Sequence, residues 1–309
     1  MKKALKLSIT LWLTVFCLSF TASAIMISPK DVSLGYDTAV YTGKAICPDV
    51  KVKAFNEGRD YFVTYANNIN SGRAVVMIDD VNDSCPTVYK YFDILPCSIS
   101  GAKIKLSYTE TVYSGKKKKP SVTVSYNGEK LKEGKDYTVT YGKNTKVGKA
   151  YVTVKGKGNF CGEARKTFYI LPQKVKSLKA VKRTSGTVTL SWHKVSGADE
   201  YRIYRYSKGK WRLVGKSEEN TFKVRKLSSD KEYKFKVRAV CELKDNELYG
   251  EYSKVLKVRT RLSGSDKVYV SPKGDKYHRK SCSYVRKNKQ KVTYSYAKSK
   301  GYTECSRCF

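Results

Sequence analysis

Histidine is nearly absent from this chain, with only His193 and His278 among 309 residues. There is also no Gly-x-Ser-x-Gly, no His-Glu-x-x-His, no phosphate-binding glycine loop and no carboxylate pair on a recognisable scaffold. Hydrolytic, metallopeptidase and nucleotide chemistry therefore lack their usual residues. His193 follows Trp192 in an alternating run, which points it outward on a strand, and catalysis is not expected. Negative charge is scarce as well: 27 Asp and Glu stand against 62 Lys and Arg, a formal net charge of +35. Such a one-sided balance gives a long-range positive potential and argues for polyanionic surroundings. Most of the basic residues are lysine, a hydrated point charge suited to diffuse attraction rather than forked recognition. The alternative is that the charge only keeps the protein soluble.

Long apolar runs are missing beyond the first 24 residues, so no later segment is expected to span a membrane. Within those residues, Lys2, Lys3 and Lys6 precede an apolar stretch that ends at Ala22-Ser23-Ala24. The order of charge, short apolar run and small residues reads as a secretory signal peptide over residues 1–24; the alternative is an uncleaved anchor. Its removal leaves 285 residues with 59 basic and 27 acidic side chains, about +32. The mature chain is expected to be secreted, without a covalent anchor and associated with the cell envelope. Anionic polymers met there include wall teichoic acids, lipid headgroups, glycosaminoglycans and released DNA.

What the chain does have is a stretch that occurs twice. Gly58-Arg59-Asp60-Tyr61-Phe62-Val63-Thr64-Tyr65 returns 76 residues later as Gly134-Lys135-Asp136-Tyr137-Thr138-Val139-Thr140-Tyr141. Asn68 and Asn144, Gly72 and Gly148, Cys85 and Cys161, and Phe92 and Phe168 keep that offset. Upstream the offset is 72, pairing Tyr41 with Tyr113 and Pro48 with Pro120, so the second copy carries four extra residues. A repeat of this length signals stacked modules, here 26–97 and 101–172. Within them, runs such as Ser121–Tyr126 and Ala150–Val154 alternate apolar and polar residues rich in Val, Thr and Tyr, the pattern of half-buried strands. Asn127-Gly128 supplies the positive φ angles of a tight hairpin.

The order Tyr-x-Gly, Pro-x-Val-x-Val, Asp-Tyr-x-Val-x-Tyr, Asn-x-x-x-Gly and Phe-x-Ile resembles the immunoglobulin-like repeats of Gram-positive surface proteins. That likeness implies antiparallel β-sandwiches with a display role. Residues 173–262 carry Val188–Trp192, Ala198–Tyr204, Leu227 and Tyr233–Val240. This stretch resembles a fibronectin type III domain, and the resemblance implies a core role for Trp192 and a hydroxyl of Tyr233 tied to nearby backbone. A protein partner could dock on such a domain, although no Arg-Gly-Asp is present to support an integrin. The expected fold class is therefore mainly β: tandem immunoglobulin-like sandwiches, a fibronectin type III sandwich and a small zinc-stabilised C-terminal module.

That last module spans 266–309 and holds His278, Cys282, Cys305 and Cys308, spaced His-x3-Cys, 22 residues, Cys-x2-Cys. Two close pairs of soft ligands across a loop suit one tetrahedral zinc ion, and four protein ligands close the site to substrate. A segment this short buries little apolar surface, so a metal would supply folding energy its core lacks. The alternatives are a disulfide of Cys305 with Cys308 or Cys282, and a redox-active Cys-x2-Cys pair. The segment resembles a small Cys3His module of secreted bacterial proteins and some nucleases, and the metal-binding segment of DNA-repair methyltransferases. Those enzymes use four cysteines, where this chain has His278, and no methyltransferase domain accompanies it. Lys276, Arg279, Lys280, Arg286, Lys287 and Arg307 lie around the site, mixed with Tyr277, Tyr284, Tyr294, Tyr296 and Tyr302. This mixture fits an extracellular nucleic-acid reader; the alternative is tyrosines packing a small core beneath solvated cations. A further alternative makes the protein an accessory subunit of a separate extracellular enzyme. Among the remaining cysteines, four could form two bridges in three connectivities; repeat asymmetry suggests pairing Cys47 with Cys85 and Cys97 with Cys161, leaving Cys241 as a buried thiol, and the alternative is that all five are reduced.

Overall fold

A computed structural model describes residues 26–285 and 288–309. The expected signal peptide, with Cys17 inside it, lies outside the described residues, as do Arg286 and Lys287. The chain is mainly β and divides into two units. The first contains the chain up to Ser98 together with Lys157–Cys161, and the second contains Ile99–Gly156 and Gly162–Phe309.

In the first unit, a four-stranded sheet runs in the order Thr38–Val40, Val88–Leu95, Gly72–Asp80, Tyr61–Ala66. Its edge strand Thr38–Val40 is parallel to its neighbour and the other pairings are antiparallel. Strict alternation along Gly72–Asp80 sends Ala74, Val76 and Ile78 inward, where they meet Val32, Val50 and Val52 of a second, two-stranded sheet. Phe92 and Ile94 close the same core. The second unit begins with the same plan: Tyr137–Gly142, Gly148–Gly156, Glu163–Leu171 and a parallel edge Glu110–Val112. Ala150, Val152, Val154 and Phe168 are its fully buried counterparts.

The residues that echo between the repeats are those that tie the sandwich together. The Tyr65 hydroxyl donates to the Pro48 carbonyl at 2.7 Å, and the Tyr141 hydroxyl to that of Pro120 at 2.8 Å. The Asn68 and Asn144 amides donate to the Ile46 and Lys118 carbonyls at 3.1 and 2.9 Å. Asp60 and Asp136 each accept a backbone N–H four residues upstream, both at 2.8 Å. Gly72 and Gly148 hold φ of 132° and 127°, a region that disfavours any side chain. The four extra residues of the second copy build the hairpin Val122–Tyr126 to Glu129–Lys130, with Asn127 and Gly128 at φ 47° and 88°.

Asp80 takes the inward position at the end of its strand, where the second repeat has Gly156. Its carboxylate accepts from the Asn82 N–H at 2.7 Å, the Ser84 N–H and hydroxyl at 2.7 and 2.8 Å, and the Cys85 N–H at 3.0 Å. These bonds, led by the Asn82 N–H and the Ser84 hydroxyl, hold its carboxyl at about 2. A folded value below the unfolded one adds stability above about pH 4. That contribution fades as pH falls from about 4 to about 2. Denaturant unfolding of the first unit between pH 2 and 6 is expected to show this loss, and Asp80→Asn to flatten it. Equal slopes in parent and variant would remove Asp80 from the account.

The paired cysteines suggested by repeat asymmetry do not meet. Cys47 accepts from the Asn68 amide, whereas the Cys85 N–H is held by Asp80, and the strand Gly72–Asp80 runs between those two ends. Nine extended residues span about 30 Å, far beyond the reach of a disulfide. Cys97–Ser98 pairs in parallel with Phe160–Cys161, Cys97 opposite Phe160 and Cys161 opposite Ser98. Cys97 and Phe160 are buried and Cys161 is exposed, so the two thiols leave opposite faces of the pairing. Cys241 is buried as expected, and burial pushes its thiol up to about 11.

Candidate metal centre

Further along the second unit, Lys179–Arg183, Val188–Ser191 and Thr221–Val224 form one sheet. Lys210–Ser217, Glu200–Ser207, Glu232–Glu242, Glu247–Tyr249 and Leu256–Arg259 form the opposing one. Trp192 and Tyr201 fill the space between them, ring centroids 5.2 Å apart and 2% and 1% exposed. The Tyr233 hydroxyl accepts from the Ser228 N–H at 2.8 Å, the tie to nearby backbone that the resemblance implied. His193 is exposed, as alternation required.

The C-terminal segment is a four-stranded sheet, ordered Gln290–Thr293, Lys267–Val270, Lys276–His278, Thr303–Glu304, with one helical turn and a half over Tyr294–Ser299. Thr293 caps that helix by accepting the Tyr296 N–H at 3.2 Å. Among the described residues, Val268, Val270, Tyr277 and Ala297 form its buried apolar cluster, with Val292, Tyr294, Tyr302 and Phe309 half-buried against it. So small a core leaves a second source of order to be found.

His278 leaves the end of its strand pointing inward, and a tight turn brings Cys282 beneath it, with the Cys282 N–H donating to the Arg279 carbonyl at 3.0 Å. The strand Thr303–Glu304 pairs in parallel with Lys276–His278 and delivers Cys305 to the same point. A turn then returns Cys308, whose N–H donates to the Cys305 carbonyl at 3.2 Å. One ligand atom from each of His278, Cys282, Cys305 and Cys308 lies within 4.8 Å of all the others. His278 Nδ1 stands 3.3 Å from Cys282 Sγ, and Cys282 Sγ stands 4.0 Å from Cys305 Sγ. Metal–sulfur distances of ~2.3 Å at a tetrahedral centre place two sulfurs ~3.8 Å apart, close to this spacing. None of the three thiols is in a disulfide. The cluster has the dimensions to hold one ion.

The surroundings favour the anionic form at Cys305 and oppose it at Cys308. Burial raises the Cys305 thiol, but the Arg307 N–H, the neighbouring thiols and the Cys308 N–H outweigh it and bring it below its ordinary value. The Arg279 N–H donates to Cys308 Sγ at 3.3 Å, although burial pushes that thiol up to about 11. Burial, then the Lys276 charge, lowers His278 and keeps its ring neutral, the form a metal needs. A second cluster of acidic oxygens, at Glu200, Glu242 and Glu247, already faces a cation. The Arg202 guanidinium donates to Glu200 at 2.7 Å and to Glu247.

The basic and aromatic residues around the site divide in a way the sequence did not show. Tyr277 is buried, and Tyr294 and Tyr302 pack against the core. Tyr284 and Tyr296 are exposed, each with a cation over its ring, Arg307 at 4.9 Å and Lys300 at 6.0 Å. Arg279 turns inward, bonding Asp230 and lying 4.2 Å over the Phe309 ring. Asp230 is the partner that sequence reading missed; it lies 49 residues upstream, and no local pattern links the two.

Comparison with known proteins follows the same lines. Residues 172–255 match the family described as Fibronectin type III domain. Among solved structures, the crystal structure of FN3tt is 21% identical over 30% of this chain and 98% of that one, with a TM-score of 0.26. The sixth fibronectin type III domain of human fibronectin type III domain containing protein 3 is 19% identical over 31% and 91%, with a TM-score of 0.27. Domains A168–A170 of titin are 14% identical over 74% of this chain and 99% of theirs, with a TM-score of 0.28. No curated protein matches the sequence. The chain is thus a modular β protein carrying a fibronectin type III domain, a class associated with binding and display. No helix among the described residues is long and apolar enough to cross a membrane.

Proposed function

We propose that this is a secreted, non-catalytic binding and display protein of the bacterial envelope, held to anionic cell-wall polymer by its charge. The β modules over 26–97, 101–172 and 173–262 act as spacers, and the segment 266–309 is a knob closed by one structural zinc ion. His278 through Nδ1 and the thiolates of Cys282, Cys305 and Cys308 would hold the ion, which supplies folding energy rather than chemistry. The observation that carries the reading is the mature chain's charge of about +32, 59 basic against 27 acidic residues, on modules whose cores are filled by their own apolar side chains. Individual lysines do serve the fold, as Lys236 does 3.5 Å over the Tyr252 ring and Lys216 does 3.1 Å from Glu200, but the fold does not require so large a surplus. Lys116–Lys119 lies in a loop whose first-repeat counterpart, Lys44–Cys47, carries one lysine instead of four.

Extracellular nucleic acid is the second reading, favoured by exposed Tyr284 and Tyr296 beside Arg307 and Lys300. Retention of the mature protein on purified walls, before and after extraction of phosphate polymer, separates the two. Salt-sensitive retention that vanishes on extraction and survives duplex DNA is expected. Retention indifferent to extraction but abolished by DNA would overturn the envelope reading in favour of the other.

A further inference from the structure

Arginine is the minority cation here, 14 residues against 48 lysines. Yet one cleft of the second unit, about 340 Å³ in volume, has four basic side chains in its lining and all are arginine: Arg183, Arg259, Arg261 and Arg279. Tyr277, Tyr294 and Phe309 wall one side. Two carboxylates share the space, and both are engaged. Asp230 faces Arg279 and, at 3.7 Å, Arg259. Glu304 accepts the Tyr277 hydroxyl at 3.3 Å. Arg259 and Arg279 therefore hold the cleft together, and two arginines are left over.

Arg183 spends a single N–H on the Arg259 carbonyl at 3.3 Å. The Arg261 guanidinium has no hydrogen bond or ion pair among the described residues, although its backbone N–H is fixed to the Thr184 carbonyl at 3.0 Å. That backbone bond joins the two arginine-bearing segments, since Thr184 is the neighbour of Arg183. Two planar forks with spare donors thus line one walled cleft, the arrangement that matches phosphate oxygens in pairs. The volume is at the small end for ligand sites, enough for a phosphoryl group and a short polyol.

We infer that this cleft binds the phosphate of a polyol-phosphate polymer, gripped by Arg183 and Arg261. The inference rests on the envelope reading above and sharpens it: diffuse lysine attraction gathers the protein to the polymer, and the arginine pair registers one repeating unit. The probes are inorganic phosphate and glycerol phosphate, titrated into the mature protein by calorimetry. Saturable binding is expected, with affinity falling at least tenfold in the double variant Arg183→Ala, Arg261→Ala. Arg261→Lys keeps the charge and the fold but loses the fork, and is expected to lose several-fold. Alanine at all of Lys116–Lys119 should leave the titration unchanged.

An Arg261→Lys affinity equal to the parent's would overturn the proposal, as would an equal loss in the lysine-loop variant. Retention on walls distinguishes failure of the cleft from failure of the function. A protein retained on walls that never saturates with glycerol phosphate refutes the cleft alone. One that saturates but is not retained refutes the envelope reading and leaves the cleft standing. Competition by phosphatidylglycerol vesicles or duplex DNA, without competition by soluble polyol-phosphate polymer, would refute the polymer as the source of the phosphate.

Discussion

Stripping metal from the mature protein with a chelator is expected to unfold residues 266–309 and leave the sandwiches intact. That segment buries little apolar surface: Val268, Val270, Tyr277 and Ala297 form its buried cluster, Val285 is enclosed beside the metal ligands in sequence, and Val292, Tyr294, Tyr302 and Phe309 are half-buried against the cluster. So short a segment with so small a core depends on a further source of folding energy. Structural zinc sites in short peptides contribute about 10–16 kcal/mol at neutral pH. In hydrogen exchange, the amides of Lys267–Val270 should lose protection on chelation while those of Glu232–Glu242 keep theirs. Cys305→Ser is expected to reproduce the effect, because Cys305 is fed from the strand that also positions His278. Unchanged protection after metal removal, with metal content measured at zero, would show that the segment folds on its own.

The second large effect is expected from Trp192→Ala. Its ring is 2% exposed, meets Tyr201 edge-on and sits among Val188, Leu190, Phe235 and Val237. Truncating so large a side chain costs about 3–5 kcal/mol, since the lost contacts are joined by a cavity the sandwich cannot close. Domains of this kind hold about 5–15 kcal/mol in total, so the variant would sit near its unfolding threshold. Trp192→Phe is expected to be milder for a second reason: the indole Nε1 is buried without a partner, so its removal breaks no hydrogen bond. Denaturant unfolding of the two variants against the parent measures both. A loss below about 1 kcal/mol for the alanine variant would mean the site collapses and refills.

The sequence made some of this visible because its repeat preserved the hydrogen-bonding residues. Tyr65 and Tyr141, Asn68 and Asn144, and Asp60 and Asp136 recur because each satisfies a particular backbone group, and the spacing of those groups is the sandwich itself. The His278-x3-Cys282 and Cys305-x2-Cys308 spacings likewise carried their meaning locally, since each pair sits on one turn. Contacts without local spacing were hidden. Cys47 and Cys85 looked like partners from the repeat alone, but a whole strand separates them. Cys97 and Cys161 do come to neighbouring strands, and only the one-residue stagger between their strands sends their side chains apart. Neither strand length nor register is written in a count of cysteines. The inward turn of Arg279 is hidden for the same reason, its partner Asp230 being far away in the chain.

The short segment Lys157–Cys161 is part of the first unit although it lies 59 residues beyond Ser98. Phe160 fills a place beside Tyr41 at 5.6 Å between ring centroids. Asn159 accepts the Ser71 N–H at 2.8 Å and donates to the Asn70 side chain at 2.9 Å. A chain emerging from its synthesis site at ~5–20 residues per second makes that first unit wait several seconds for its last piece. The module made first therefore stays incomplete until most of the second repeat has been made. A fragment ending at Cys97, where the repeat invites a cut, would leave Cys97 without its paired strand Phe160–Cys161 and Tyr41 without Phe160. The two repeats are thus interleaved along the chain, and fragments made for study should carry residues through 161.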